Sequence, residues 1–257
     1  MTWPIPSGSG DCDVINPLRD ELKFIVDHGA RSVLLALWDR LLAKDPHTNA
    51  YAQTPVLSQY YDTPGLDFYE EKLDGIGARN KLRLRTYDWL FRPGAAVFPE
   101  IKQRWDDKIR KIRGRIDRLR PEHLEDPRAW VFTDPDDERR FGPILHGRRL
   151  ERSAQVLYLR EAYQGTVETD VRVTFDSHLM GLFPGEAVTR AILAEGSRRL
   201  MSDSVLILEV KATGRIPAWI HDGVERMELR QQPIPKYVMA VERLGLPHSM
   251  PASGVYA

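Results

Sequence analysis

The stretch RNKLRLRTY, residues 79–87, alternates between basic and apolar side chains over its whole length. Side chains on a β-strand point to opposite faces with a period of two. The pattern therefore predicts a strand with Leu82 and Leu84 on one face. Its other face carries Arg79, Lys81, Arg83, Arg85 and Tyr87. Four positive charges in one row repel one another, so the basic face needs a physical explanation.

Four further segments repeat this alternation: DELKFIVD (20–27), AAVFPEIKQRW (95–105), ETDVRVTFDSH (168–178) and SVLILEVKATG (204–214). Each predicts a strand with one apolar face and one face that bears Lys or Arg, and three of them add Glu to the charged face. The segment AQVLYLREAYQG (154–165) is predicted to form a hairpin with the third of them, around Gly165. The run KIRKIRGRIDRLR (108–120) is ambiguous. We interpret it as a strand that continues into a helix.

Helical spacing of apolar residues marks the segments 30–45, 66–75, 217–229 and 236–245. Residues 1–18 are rich in Pro, Gly and Ser and are predicted to be a leader. One domain is expected over 19–245, with a helical insertion at 121–150 and a tail at 246–257. The predicted fold class is α+β.

Composition excludes several classes of function. The 257 residues carry no net charge, which argues against a nucleic-acid partner. Cys12 is the one cysteine, so an intramolecular disulfide is excluded and a reducing compartment is expected. The chain has no apolar run of 18 residues and no secretion signal, which predicts a cytoplasmic protein without direct membrane insertion.

The charged faces of the predicted strands can be interpreted in two ways. An ordinary antiparallel sheet exposes its polar face to water. Solvated faces, however, mix small polar residues with opposite charges, whereas these rows place like charges side by side. We therefore favour a closed antiparallel β-barrel with a basic interior, flanked by helices that cover its apolar outer face. Such an interior requires an anionic ligand, because unpaired buried charge is costly.

An ordered series of motifs then carries a family resemblance: ELKF (21–24), YYDTPGLDFYEEKLDG (60–75), KLRLRTY (81–87), EIK (100–102), VRVTFD (171–176), LEVKATGRIPAWI (208–220) and PKY (235–237). The sequence resembles the polyphosphate polymerase (vacuolar transporter chaperone, VTC) domain of the triphosphate tunnel metalloenzyme superfamily over residues 19–240. The resemblance implies a tunnel-shaped barrel that binds a triphosphate and a divalent metal ion.

Carried over by position, the resemblance assigns the site residues. The expected catalytic cations are Lys23, Arg83, Arg85, Lys102 and Lys211. The expected substrate-binding cations are Lys81, Lys111, Arg113, Arg172 and Lys236. Glu209 is the expected main ligand of Mn²⁺ or Mg²⁺, with Glu21 and Glu100 as further acidic lining. Tyr87 and Arg160 either line an entrance or serve only packing or solvation.

The implied activity is transfer of the ATP γ-phosphate onto a growing polyphosphate chain. ATP, triphosphate and polyphosphate are therefore the expected ligands. A membrane-protein partner for translocation would not be encoded in this chain. Two alternatives stay open at this point: hydrolysis of a triphosphate or nucleoside triphosphate, and a non-catalytic module that binds polyphosphate as a sensor.

Overall fold

The computed structural model describes residues 19–45, 53–105 and 108–246. The predicted leader and residues 247–257 of the predicted tail lie outside this range. The strands are β1 Arg19–Asp27, β2 Leu42–Lys44, β3 Thr54–Asp62, β4 Ala78–Thr86, β5 Phe98–Trp105, β6 Lys108–Arg113, β7 Glu151–Gly165, β8 Arg172–Leu182 and β9 Val205–Thr213. The α-helices are α1 His28–Leu37, α2 Asp67–Leu73, α3 Pro121–Glu125, α4 Pro135–Gly147, α5 Arg190–Ala194, α6 Ala218–Arg226 and α7 Lys236–Arg243.

All strands belong to one antiparallel sheet, in the order β1-β9-β8-β7-β3-β4-β5-β6, with β2 paired to β7. The predicted α+β class is confirmed. The alternation in residues 79–87 is confirmed as β4, in which Leu82 and Leu84 are fully buried. The hairpin around Gly165 is also confirmed, because β7 and β8 pair along most of their length.

The sheet rolls strongly on itself. β1 and β5 are six strand spacings apart in the order, which is about 29 Å in a flat sheet. Yet Lys102 of β5 lies 3.3 Å from Glu21 of β1, measured from Nζ to Oε2. This contact requires the basic face of the sheet to be concave. We call this concave basic face the inner face.

The expected closed barrel is not confirmed. Within the described ranges β1 and β6 stand at the two ends of the hydrogen-bonded order, so the backbone does not close the sheet. Side chains bring the two halves together instead, through the ion pair between Lys102 and Glu21.

Apolar clusters cover the outer face, as the alternation predicts. Phe24, Leu208 and Val210 pack beneath α1 and α6. On the opposite half of the sheet, Leu84 and Ile101 pack against the helical segment 121–147. The outer face of the sheet thus supplies much of the core, which leaves the inner face to the charged residues.

Two segments pair with the sheet where we predicted helix. The prediction of a helix directly after β6 is wrong, because residues 114–120 form no helix and Ile116 pairs with Val97 through two backbone hydrogen bonds. Helix α1 ends at Leu37, and β2 (42–44) pairs with β7 instead of continuing the helix. In both places a neighbouring strand offers backbone donors and acceptors, which outweigh the local helical pattern.

Helix α7 lies on the inner face, next to its basic part. The Tyr237 ring stacks on Tyr60 at 4.8 Å between centroids. Its hydroxyl donates to Asp62 at 2.6 Å. Val241 is fully buried in the same cluster. Trp219, by contrast, packs against Trp38 within the outer cluster and positions α6 there.

Candidate functional site

Every predicted basic residue lies on the inner face or at its rim. Helix α7 places Lys236 there, and the register of the strands places the others. Successive strand pairs align Lys23 with Glu209, Arg83 with Glu100, Lys81 with Lys102, Lys102 with Lys111, and Arg172 with Lys211. The inner-face carboxylates that form ion pairs with these cations are Glu21, Glu100, Asp176 and Glu209. They are outnumbered by the basic side chains around them.

Glu100 forms the centre of one charge cluster. Arg83 donates to its carboxylate at 2.8 Å through Nε, and Lys111 lies 3.3 Å away. Arg85 and Arg113 approach at 3.6 and 3.8 Å. Burial raises the pKa of Glu100, but Arg83, Arg85 and Lys111 outweigh it and hold the pKa well below its usual range.

Glu21 and Glu209 form a second cluster. Lys23 contacts Glu21 at 2.7 Å and Lys211 contacts Glu209 at 2.6 Å. Lys102 joins from the other side of the fold. Burial raises the pKa of Glu209, but Lys211 and further neighbours depress it well below its usual range.

A third cluster surrounds Asp176, whose side chain is fully buried. Arg160 donates to both carboxylate oxygens, at 2.6 and 2.7 Å, and lies 3.4 Å from Glu209. Lys236 of α7 also pairs with Asp176. Arg160 therefore has a central electrostatic role that the sequence reasoning missed. The available signal was its position as a cation on the face of β7 that holds Ala154, Val156 and Tyr158.

Lys81 lies among cations. In the described part of the chain no carboxylate forms an ion pair with it. Burial is the main cause that lowers the pKa of Lys81 to about 8; Tyr60 opposes it, and the neighbouring cations Lys102, Lys23 and Arg83 add to it. Burial also lowers the pKa of Lys111 to about 8, despite the favourable charge of Glu100. These lysines occupy positions where an added negative charge would be stabilised.

The rim of the inner face carries Tyr87, Phe98, Arg113 and Arg172. The Arg113 guanidinium lies over Phe98 at 4.2 Å and near the Tyr87 ring at 5.6 Å. Arg172 pairs with Asp45 at 2.9 Å, and half of its side chain is exposed. Tyr87 thus lies at an opening, whereas Arg160 is buried within the third cluster.

The expected metal ligands are not gathered at one point. Glu21 and Glu209 are neighbours that share Lys23 and Lys211. Glu100 belongs to the separate arginine cluster. Across residues 19–45, 53–105 and 108–246, no group of three or more His, Cys, Asp or Glu side chains is arranged to hold a metal ion.

The fold and the site define a class of protein in which a rolled antiparallel sheet has a basic inner face suited to a polyanion. The chain belongs to the VTC domain family, whose model matches residues 18–245. No curated protein sequence matches it significantly. None of the helices that the structure describes has the length and apolar character needed to cross a membrane.

Several solved structures are similar to this chain, among them one from Bacillus halodurans and one from Pyrococcus horikoshii. A putative adenylate cyclase from Bacillus halodurans is 12% identical with a TM-score of 0.49, and the alignment covers 84% of this chain and 92% of that one. The PH1819 protein from Pyrococcus horikoshii is 15% identical with a TM-score of 0.44, over 88% of this chain and 99% of that one.

Proposed function

We propose that this chain is a metal-dependent phosphotransferase that moves the γ-phosphate of ATP, or of a triphosphate, onto a growing polyphosphate chain. The observation that carries this proposal is the excess of cations on an inner face rolled tightly enough to bring β1 against β5. Family membership supports the triphosphate-tunnel type of fold and phosphoryl-transfer chemistry.

Phosphoryl transfer depends mainly on positioning and on neutralising charge. Arg83, Arg85, Lys102 and Lys211, with Lys23, would bind the triphosphate oxygens and stabilise the charge that develops on the transferred group. Lys81, Lys111, Arg113 and Arg172 would hold the remaining phosphates. Lys236 would fix α7 beside them through Asp176. The acceptor is a phosphate oxygen that is already ionised at neutral pH, so the proposal needs no general base.

Some of the carboxylates on the inner face meet the requirements for binding a divalent cation. Mg²⁺ is commonly held by one or two carboxylates together with substrate phosphates. The adjacent Glu209 and Glu21 match that requirement, and they would hold Mg²⁺ or Mn²⁺. Glu100, engaged by Arg83 and its neighbours, fits a charge-balancing role better. When bound, the metal would supply charge neutralisation at the phosphates.

One feature favours hydrolysis as the second candidate function. Helix α7 covers the apolar part of the inner face, so the basic surface is confined to the part beside the helix. A basic surface confined in this way suits a triphosphate, with water as acceptor, better than a long chain.

Product analysis tests both candidates. The protein is incubated with ATP and Mn²⁺, and the products are separated by gel electrophoresis and chromatography. Polyphosphate with ADP supports the polymerase, whereas free phosphate with ADP supports the hydrolase. Binding of polyphosphate without turnover would contradict an enzymatic role and favour the sensor.

A further inference from the structure

The hydroxyl group of Thr174, on the inner face of β8, is buried without a hydrogen-bond partner. The side chain is 4% exposed, and within the described ranges no polar group forms a hydrogen bond with its Oγ1. A buried hydroxyl without a partner lowers the stability of a fold, because it gives up its hydrogen bonds to water and gains none in return. Such groups are few in native proteins, so this one needs an explanation.

The strand register places Thr174 beside a carboxylate. On one side β9 presents Glu209 directly opposite Thr174, and on the other side β7 presents Ala162, which has no polar side-chain atom. Directly opposed residues of an antiparallel pair have Cβ atoms about 4.5–5.5 Å apart. Asp176, two residues along β8, already accepts from Arg160 through both carboxylate oxygens. Glu209 is therefore the acceptor that the register offers to the Thr174 hydroxyl.

Cations hold the Glu209 carboxylate in the structure. Lys211 contacts its Oε1 at 2.6 Å, and Lys23 lies 3.9 Å from the same oxygen. Arg160 lies 3.4 Å from Oε2. Glu209 is only 6% exposed, so it depends on these neighbours. Lysines that turned towards phosphate oxygens would leave Glu209 with Arg160 alone, and a buried carboxylate that loses its partners is costly.

We propose that Thr174 is a positioning residue for Glu209. When a phosphate ligand draws Lys211 and Lys23 away, the Thr174 hydroxyl donates a hydrogen bond to the Glu209 carboxylate and keeps it in place. A hydroxyl suits this exchange because it is neutral and can rotate to meet an acceptor. The inference rests on the proposed function, since it requires the two lysines to bind phosphate.

Two measurements test this role: calorimetry with inorganic tripolyphosphate in EDTA, and denaturant unfolding without ligand. Thr174→Val removes the hydroxyl and keeps the branched shape, whereas Thr174→Ser keeps the hydroxyl. Thr63→Val is the matched control. The Thr63 side chain is also buried, but its Oγ1 accepts a hydrogen bond from the backbone N–H of Asp67 at 3.0 Å.

We expect Thr174→Val to weaken tripolyphosphate binding about tenfold, which corresponds to about 1.4 kcal/mol. Without ligand this variant should be at least as stable as the wild type, because the hydroxyl that it loses has no partner. Thr174→Ser should bind within about twofold of the wild type. Thr63→Val should show the opposite pattern, with lower stability and unchanged binding.

A double-mutant cycle identifies the group that the hydroxyl serves. With Glu209→Ala as the background, Thr174→Val should change tripolyphosphate binding by no more than about twofold. A tenfold loss in this background would overturn the inference, because the hydroxyl would then act on the phosphate directly. If Glu209→Ala fails to fold, the two variants of Thr174 decide alone.

Two further results would overturn the inference while leaving the proposed function intact. Lower stability of Thr174→Val without ligand would mean that the hydroxyl already has a partner, and unchanged affinity would mean that it takes no part in binding. A wild-type protein that binds no tripolyphosphate would instead refute the proposed function itself.

Discussion

At the residue scale, each carboxylate in the charge clusters of the inner face pairs with more than one basic side chain. Glu100 is approached by four basic side chains and Asp176 by two. Arginine predominates around these buried carboxylates, which suits its planar and permanently charged group. Lysines such as Lys81 lie where positive charge is not balanced, so their protonation should respond to a ligand.

The first prediction concerns Glu209. Replacing Glu209 by Gln keeps the size of the side chain but removes the charge that would hold a hard cation. We expect metal-dependent turnover to fall at least about a hundredfold. Triphosphate binding should persist or tighten, because Lys211 and Arg160 lose a competing anion. Steady-state kinetics and calorimetry measure the two effects. Glu195→Gln, which changes an exposed carboxylate that pairs with Arg198, is the control. Normal turnover in Glu209→Gln would exclude this metal site.

The second prediction concerns pH. Lys81 and Lys111 have folded-state pKa values of about 8, below the ordinary value of 10.5. Between pH 8 and 10.5 the unfolded chain therefore binds more protons, and the ligand-free protein should become more stable as pH rises. Triphosphate affinity should fall over the same interval, because cations that we propose bind the ligand lose their charge. Denaturant unfolding and calorimetry from pH 7.5 to 9.5 measure both slopes. Lys81→Met should make both slopes shallower, and unchanged slopes would argue against a titrating Lys81.

At the scale of elements, helices stabilise the outer face through close packing. Gly223 of α6 lies directly over Trp38, and a Cβ at this position would meet the indole ring at 2.7 Å. Trp38 in turn donates its Nε1–H to the carbonyl of Trp219 at 3.1 Å. The absence of a side chain at Gly223 is therefore what lets α6 approach the segment that follows α1.

The third prediction tests this contact. Gly223→Ala should lower the free energy of unfolding by about 1–3 kcal/mol, because a methyl group overpacks the site. Gly196→Ala is the matched control, since a Cβ there meets nothing within 4 Å. Chemical denaturation of the two variants measures the difference. Equal stabilities would mean that α6 and Trp38 are not in the contact described.

At the scale of the whole molecule, folding brings together cations that repel one another. Strands distant in sequence, such as β1 and β5, meet only after the sheet has rolled. A polyanion that binds the rolled state and not the unfolded chain must stabilise the fold.

The fourth prediction follows from this linkage. Triphosphate at a hundredfold excess over its Kd should add about 2.7 kcal/mol of stability. The melting temperature of a chain of this size should rise by about 5–10 °C. Thermal melts with triphosphate, compared with melts in sodium chloride of equal ionic strength, measure the effect. High salt should reduce it, because screening weakens exposed charge contacts. Identical melting curves would contradict every function that depends on phosphate binding.

The sequence by itself determined the strands with charged faces, because period-two alternation is a local property of the backbone. The pattern of residues 79–87 was sufficient to place Arg83 and Arg85 on one face and Leu82 and Leu84 on the other. Tertiary structure decided which charges meet. Ion pairs such as Lys102 with Glu21 join strands far apart in the chain, and the curvature of the sheet that creates them has no local signature. The pairing of Ile116 with Val97, the central position of Arg160 and the separation of Glu100 from Glu209 were decided in the same way. Each depends on which partner a neighbouring strand presents, and that is fixed only when the sheet has assembled.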